Sequence, residues 1–361
     1  LAIRGHDERV RAVAFSRSVN RIISVDDNGT VGIWRFPRIG LGQAGIISSS
    51  LSEVAFSADR RQIAALSEDK LQILNASDGS EIKSFGPSAA FSYENTLYSF
   101  NGKHVVGGRR FISRSTGEES KVIKVWDCTT GKEVLNFESE ETASVVAFSP
   151  DSKYVVSGCR SGLVMWDVAE GTKVKTFNLD QGPGEVTAIA IDPEGKRIVA
   201  SSGRYSASNA ITMWDIATAK EEWKTDTNQP IAVAAFSPDG KRVVSGDEEA
   251  GMVKIWNANT GENMTHYYHG GEIIGIAFSP DGRRILSGGP NGIIKIWDAN
   301  TGAEVLTLDA QVEVMALSFS HDGKMILAGC DDGTIKVWSS GGLGGTENGK
   351  EPEKDARQTV R

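Results

Sequence analysis

Apolar positions along this chain come in short bursts. Runs of β-branched and aromatic residues, too short for helices, are separated by Pro-Asp-Gly or Thr-Gly turns. Segments that short, bounded by turn residues, predict strands and not helices. One phrase recurs. It is an apolar strand ending in Phe-Ser, a tight turn, a second strand ending near Ser-Gly, a polar loop and a third strand closing on Trp. Residues 231–257 read IAVAAFSPDGKRVVSGDEEAGMVKIWN and residues 272–298 read EIIGIAFSPDGRRILSGGPNGIIKIWD. Other copies close at Trp34, Trp126, Trp166, Trp214 and Trp338, and a worn copy ends with Leu74 in the Trp position. A fourth strand follows several of them, as at Glu133–Phe137, Lys173–Phe177 and Glu304–Leu308.

The third strands end at 34, 74, 126, 166, 214, 256, 297 and 338, a spacing of 40 to 52 residues. A period in that range marks a repeat architecture. Four short antiparallel strands form one blade, and a blade buries its faces only by stacking on its neighbours about an axis. The expected fold is therefore all-β with eight four-stranded blades over residues 1–340. Seven blades is the alternative, should the worn stretch 51–126 make only one.

The pairs Trp126-Asp127, Trp166-Asp167, Trp214-Asp215 and Trp297-Asp298, with Gly5-His6 ahead of the first strand, resemble the WD40-repeat family. The resemblance implies a WD40-type β-propeller acting as a rigid interaction scaffold. The regular SPDG and TGKEV phrasing looks like bacterial members attached to signalling modules. Residues Leu1–Arg4 have no blade of their own and are expected to supply the outer strand of the last one, beside Thr334–Trp338. Residues 341–361, Gly-rich and then charged, read as a flexible tail or a linker.

The resemblance also implies a buried side-chain network joining a His before the first strand, a Ser on the second, an Asp in the next loop and the third-strand Trp. His6, Ser24 and Trp34 fit it in blade one, and His269, Ser287 and Trp297 in blade seven. Where the family has Asp this chain has Asn28 and Asn291, so the network is expected to be neutral and weaker. Trp223, on an outer strand, reads as packing between blades.

Differences between the repeats locate the candidate site. In propellers of this kind the first-to-second and third-to-fourth turns share one face, the bottom; the remaining connections share the other, the top. The bottom turns are nearly uniform (SPDSK, DPEGK, SPDGK, SPDGR). The longer segments, Gly86–Asn95, Arg109–Lys121, Asn178–Glu185, Gly203–Ala210 and Asp247–Gly251, all fall on top. Irregular loops on a rigid frame are where binding tends to reside. The top face of blades three to six is thus the expected protein-binding site, with Arg109, Arg110, Arg114, Arg204, Asp247, Glu248 and Glu249 on its rim. Tyr205, Tyr267 and Tyr268 are its aromatic anchors. Basic residues crowd the bottom turns, as at Lys196-Arg197 and Lys241-Arg242.

Charge narrows the partner. Lys plus Arg number 39 against 47 Asp plus Glu, a formal charge of −8, which argues against wrapping nucleic acid. No apolar run approaches the roughly 20 residues of a membrane helix. The expected partner is another protein or a neighbouring domain of the same polypeptide, bound by a monomer with no cofactor. Three cysteines make a poor disulfide framework and suggest a reducing, cytoplasmic setting. Cys159 and Cys330 occupy equivalent places on opposite sides of the axis, beyond the Cα separation of about 7 Å a disulfide tolerates. Cys128, in a turn, reads as an ordinary exposed thiol.

Several motifs are decoys. Gly40-Leu-Gly42-Gln-Ala-Gly45 has no helix pattern behind it, Asp26-Asp27-Asn28-Gly29 lacks the closing Glu of a calcium loop, and His266-Tyr-Tyr-His269 has no third ligand at metal spacing. The alternative function is an enzyme of the lactonase or hydrolase kind, with His, Asp or Glu converging on the channel. The five histidines are scattered over different blades, so the chain is not expected to be an enzyme.

Overall fold

A computed structural model describes residues 2–339 apart from 5, 16–20, 28–29, 36–42, 48–50, 58–60, 68–70, 76–79, 86–93, 100–102, 113–118, 140–144, 160–161, 180–185 and 203–208. The expected tail lies outside the described residues. Among those described, every regular element is a strand, and the strands pair into eight four-stranded sheets. The worn region supplies one sheet from Leu51 to Phe85, and the next runs from Glu94 to Ser139. Blade six shows the plan: Ile231–Phe236 innermost, then Arg242–Asp247, Met252–Asn257 and Asn263–Tyr268 outermost. Neighbouring inner strands lie against one another from Leu51–Phe56 and Glu94–Tyr98 round to Val314–Phe319 and Val10–Phe15, which sets the sheets as sectors of a β-propeller.

Blade eight is completed from the other end of the chain. Ala2–Arg4 pairs antiparallel with Thr334–Ser339 in the register Ala2↔Lys336, Ile3↔Ile335, Arg4↔Thr334. Ile3 is buried there with Val10, Phe15, Trp34, Leu327 and Ile335, a cluster shared by blades eight and one.

Burial falls between sheets. The junction of blades six and seven buries Val244, Ile255, Phe278, Ile285 and Trp297, and each side chain of that size contributes roughly 1.5–3 kcal/mol. Tight hairpin geometry alone does not account for the uniform bottom turns. In blade six Ser237 Oγ accepts the Arg242 N–H at 3.0 Å and donates to Asp239 Oδ1 at 2.5 Å, while Gly240 turns the chain at φ +67°. A Cβ on Gly240 would lie 3.5 Å from Pro193 of blade five, and Gly195, Gly282 and Gly323 face Pro150, Pro238 and Pro280 in the same way. Each proline thus rests on the next blade's turn glycine, from blade four to blade eight.

Two arginines beside these turns reach across to the next blade. Arg197 reaches from blade five to Gly240 O (2.5 Å), Ala258 O (3.1 Å) and Asn259 Oδ1 (2.8 Å) of blade six. Arg242 repeats this on Gly282 O (2.7 Å), Ala299 O (2.7 Å) and Asn300 Oδ1 (3.0 Å) of blade seven. The guanidinium suits the task because its fork satisfies two turns at once. At the outer rim Trp223 is buried between blades as expected, with Nε1 donating to Ala258 O at 2.9 Å and the ring lying over Gly261.

Candidate functional site

Blade one's network is built differently from the expectation. Trp34 Nε1 donates to Ser24 Oγ at 2.8 Å, and Ser24 Oγ lies 2.5 Å from His6 Nε2. The carboxylate is Asp26, whose Oδ2 stands 2.9 Å from His6 Nδ1 and whose Oδ1 accepts the Thr30 N–H at 2.7 Å. Asn28 lies outside the described residues, and the buried acid of the network is Asp26. A carboxylate only accepts, so His6 donates from Nδ1, Nε2 accepts the Ser24 hydroxyl, and each of these atoms has its partner. His6 follows the outer strand of blade eight whereas Ser24, Asp26 and Trp34 belong to blade one. The network therefore clamps the ring where the chain ends meet.

Blade seven keeps only part of it. Trp297 Nε1 donates to Ser287 Oγ at 2.8 Å, and Ser287 Oγ is 3.0 Å from His269 Nδ1. Asn291 turns to the backbone, donating to Gly270 O at 3.3 Å and accepting the Ile293 N–H at 3.0 Å. His269 Nε2 is buried with no hydrogen-bond partner among the described residues. Burial first, then the charge of Lys295, pushes its pKa down to about 4. The place of Asp26 falls here to Gly289, where a Cβ would stand 1.9 Å from Glu272 O, so no carboxylate fits. The Ser–Trp bond is wider than the His pattern: Trp166 donates to Ser157 at 3.1 Å and Trp256 to Ser245 at 2.8 Å.

On the top face residues 109–112 and 119–121 of the expected loop are strand, and residues 113–118 lie outside the described residues. His104–Ile112 and Glu119–Asp127 run nine residues each, against six for the second strand of blade four, five or six. The register continues through Arg109↔Val122, Arg110↔Lys121, Phe111↔Ser120 and Ile112↔Glu119. Three extra residues carry this ribbon about 10 Å above its neighbours at roughly 3.3 Å per residue. Pairing is favoured because Phe, Ile and Val suit a pleated surface.

The other expected site residues separate into two groups. Glu249 and Tyr268 are exposed, Tyr268 at 62%, and Glu248 is half-buried. Asp247 is buried at the end of its strand, where Oδ1 accepts the Met252 N–H at 3.0 Å; burial raises its carboxyl pKa. Tyr267 is buried too, stacked on Trp297 of blade seven at 4.6 Å between centroids. Both are buried and not on the rim; for Tyr267, alternation along Asn263–Tyr268 sends it to the face opposite Tyr268. Arg114, Arg204 and Tyr205 lie outside the described residues. Cys128 is buried rather than exposed, and Cys159 and Cys330 are buried free thiols. Arg9 pairs with Asp331 and Arg11 with Asp27.

Among the described residues no group of three or more His, Cys, Asp or Glu could hold a metal ion. The fold and these side chains define a β-propeller, stapled below and varied above. It carries WD40 repeats: residues 223–257, 262–298 and 302–339 match the family model described as WD domain, G-beta repeat. Residues 3–177 also match a model described as outer membrane protein assembly factor BamB. The chain is similar to pre-mRNA-processing factor 19 homolog 2 of Arabidopsis thaliana, 22% identical over 61% of this chain and 39% of the relative. It is similar to serine-threonine kinase receptor-associated protein of Dictyostelium discoideum, 23% identical over 37% of this chain and 43% of the relative. A third likeness is to WD repeat and HMG-box DNA-binding protein 1 of Xenopus laevis, 26% identical over 71% of this chain and 22% of the relative. The chain thus spans less than half the length of each of these relatives.

Proposed function

We propose that this propeller is a non-catalytic scaffold that binds another protein, or a neighbouring domain of its own polypeptide, on the top face of blades three to six. The observation that carries the reading is the contrast between the faces. Turns below pack blade to blade from blade four to blade eight, whereas the blade-three ribbon extends above. The exposed Glu249 and Tyr268 extend that surface toward blade six, with an aromatic ring available as an anchor. The WD-repeat relatives support an interaction role in general.

Inner strands speak against chemistry at the channel. Five of the eight carry no charged residue, and the others carry one each, Arg11, Glu53 and Glu94, so the sequence offers no converging acid–base set there. Three buried free thiols support a reducing, cytoplasmic setting. The test is affinity capture with mass spectrometry, comparing the parent with a variant whose 109–121 ribbon is shortened to a tight turn. Loss of specific partners from the shortened variant, with its melting unchanged, supports the site. Equal recovery of every partner moves it off blade three.

A further inference from the structure

The outermost strand of each blade ends its sheet with one edge open, a template for pairing with another strand. Charge guards such edges, and six of the eight outer strands carry at least one Asp, Glu, Lys or Arg. The exceptions are Gln43–Ile47, whose side chains lie outside the described residues, and Asn263–Tyr268 of blade six, which reads NMTHYY.

Asn263–Tyr268 has two distinct sides. His269 N–H donates to Gly251 O at 2.7 Å, and Tyr267 and Thr265 stand opposite Val253 and Ile255. The backbone groups of residues 265 and 267 therefore point into the sheet, and those of Met264, His266 and Tyr268 point to the open edge. Tyr268 O lies 3.5 Å from Lys295 Nζ. The side chains of the same three residues share one face and are exposed, Met264 at 54% and Tyr268 at 62%. Tyr267 takes the other face, on Trp297 of blade seven.

This edge is complementary to itself. A second copy turned end for end about His266 sets Met264 opposite Tyr268 at both ends of the contact, with outward backbone groups meeting outward backbone groups. A thioether beside an aromatic ring is a favourable pair. Glu262 then falls opposite Gly270, where a Cβ would have nothing within 4 Å. The same turn gives poorer pairs elsewhere. Blade five would set Lys224 on Lys224 and Glu222 on Asp226, blade seven Val305 on Asp309, and blade four Val174 on Asn178. Like charges directly opposite are destabilising.

We infer that two copies of this chain associate rim to rim, the outer strands of their sixth blades joined antiparallel into one continuous sheet. This replaces the monomer expected from the sequence. One strand edge is a small contact, so the association is weak and depends on concentration. The blade-three ribbon, three blades away, takes no part in it.

Sedimentation velocity on the full chain, with no other protein present, tests this from roughly 1 to 500 µM. The parent is expected to pass from monomer to dimer across that range. Met264→Glu/Tyr268→Glu and Met264→Lys/Tyr268→Lys are each expected to weaken the dimer at least about tenfold, because like charges then face one another. Mixed one to one, they are expected to restore it, since each Glu meets a Lys only in the inferred register. His266→Pro, which removes an outward N–H and no bond within the sheet, is expected to abolish the dimer without changing charge. All the variants are expected to melt as the parent does. A parent that stays monomeric throughout, a dimer untouched by these substitutions, or a mixture that stays monomeric would overturn the inference. None of these outcomes bears on binding at the ribbon.

Discussion

Asp26 stands 2.9 Å from Nδ1 of His6, although 20 residues and a blade boundary separate them. Both groups are buried, and truncating one leaves the other without its partner. Loss of a buried hydrogen-bonded acid typically costs 3–5 kcal/mol when a partner charge is stranded, and 1–3 kcal/mol when a neutral group is. Asp26→Ala is therefore expected to destabilise by about 2 kcal/mol or more in denaturant melts. Ser245→Ala, which removes only a Ser–Trp bond, is expected to cost about 1 kcal/mol. Deleting residues 1–5 removes the latch strand and is expected to lower the melting temperature; an unchanged melt would mean that the ring closes another way.

His269 sets a pH dependence. Its folded pKa of about 4 lies below the ordinary imidazole value of 6.5. Between these values the unfolded chain binds the proton and the folded one resists it, so stability falls as pH drops from about 6.5 to about 4. His104 adds in the same direction, because burial lowers its pKa too. Melting curves across this range are expected to flatten in part for His269→Gln and further for the double variant His269→Gln/His104→Gln. Unaltered slopes in both would contradict the assignment.

Ala219 adopts φ +55°, whereas the glycines at its place in blades three, four, six and seven, Gly131, Gly171, Gly261 and Gly302, lie at +69°, +72°, +69° and +73°. An L residue held there costs roughly 1–2 kcal/mol, offset in part by the backbone entropy of glycine and the lost methyl packing. Ala219→Gly is expected to stabilise by about 0.5–1 kcal/mol, read as a raised denaturation midpoint with an unchanged slope.

Arg242 makes three hydrogen bonds to blade seven, and its guanidinium stands over the Phe278 ring at 5.4 Å. Arg242→Ala is expected to cost about 2–4 kcal/mol, from charge-assisted bonds worth roughly 1.5–3 kcal/mol each less what water restores. Arg242→Lys is expected to recover little, since a single ammonium cannot span two turns. Full recovery by Lys would show that charge alone fastens the junction.

Much of this fold is legible in the sequence because the repeat is spelled out: strand, SPDG turn, strand, Trp. The His6–Ser24–Trp34 and His269–Ser287–Trp297 links follow from what the family resemblance implies, carried onto these positions. Asp26 was hidden because the neighbouring Asn28 matched the expected loop position better; the clue was Asp at the end of the second strand, repeated at Asp247. The Ser157–Trp166 and Ser245–Trp256 bonds lacked a histidine to announce them and sit at spacings of 9 and 11 instead of 10. Arg109–Lys121 looked like a loop because its charges and Gly117 mask a pairing that only the partner strand reveals. Tyr267 and Tyr268 are adjacent letters with opposite fates, which only the registration of their strand decides.

The two faces are proposed to divide the work, fastening below and recognition above. Footprinting a captured partner complex by hydrogen exchange tests it most directly. Protection is expected at 107–123, 248–251 and 268–272, with the bottom turns 149–153, 192–196, 237–241 and 279–283 unchanged. Protection confined to those bottom turns would contradict the account.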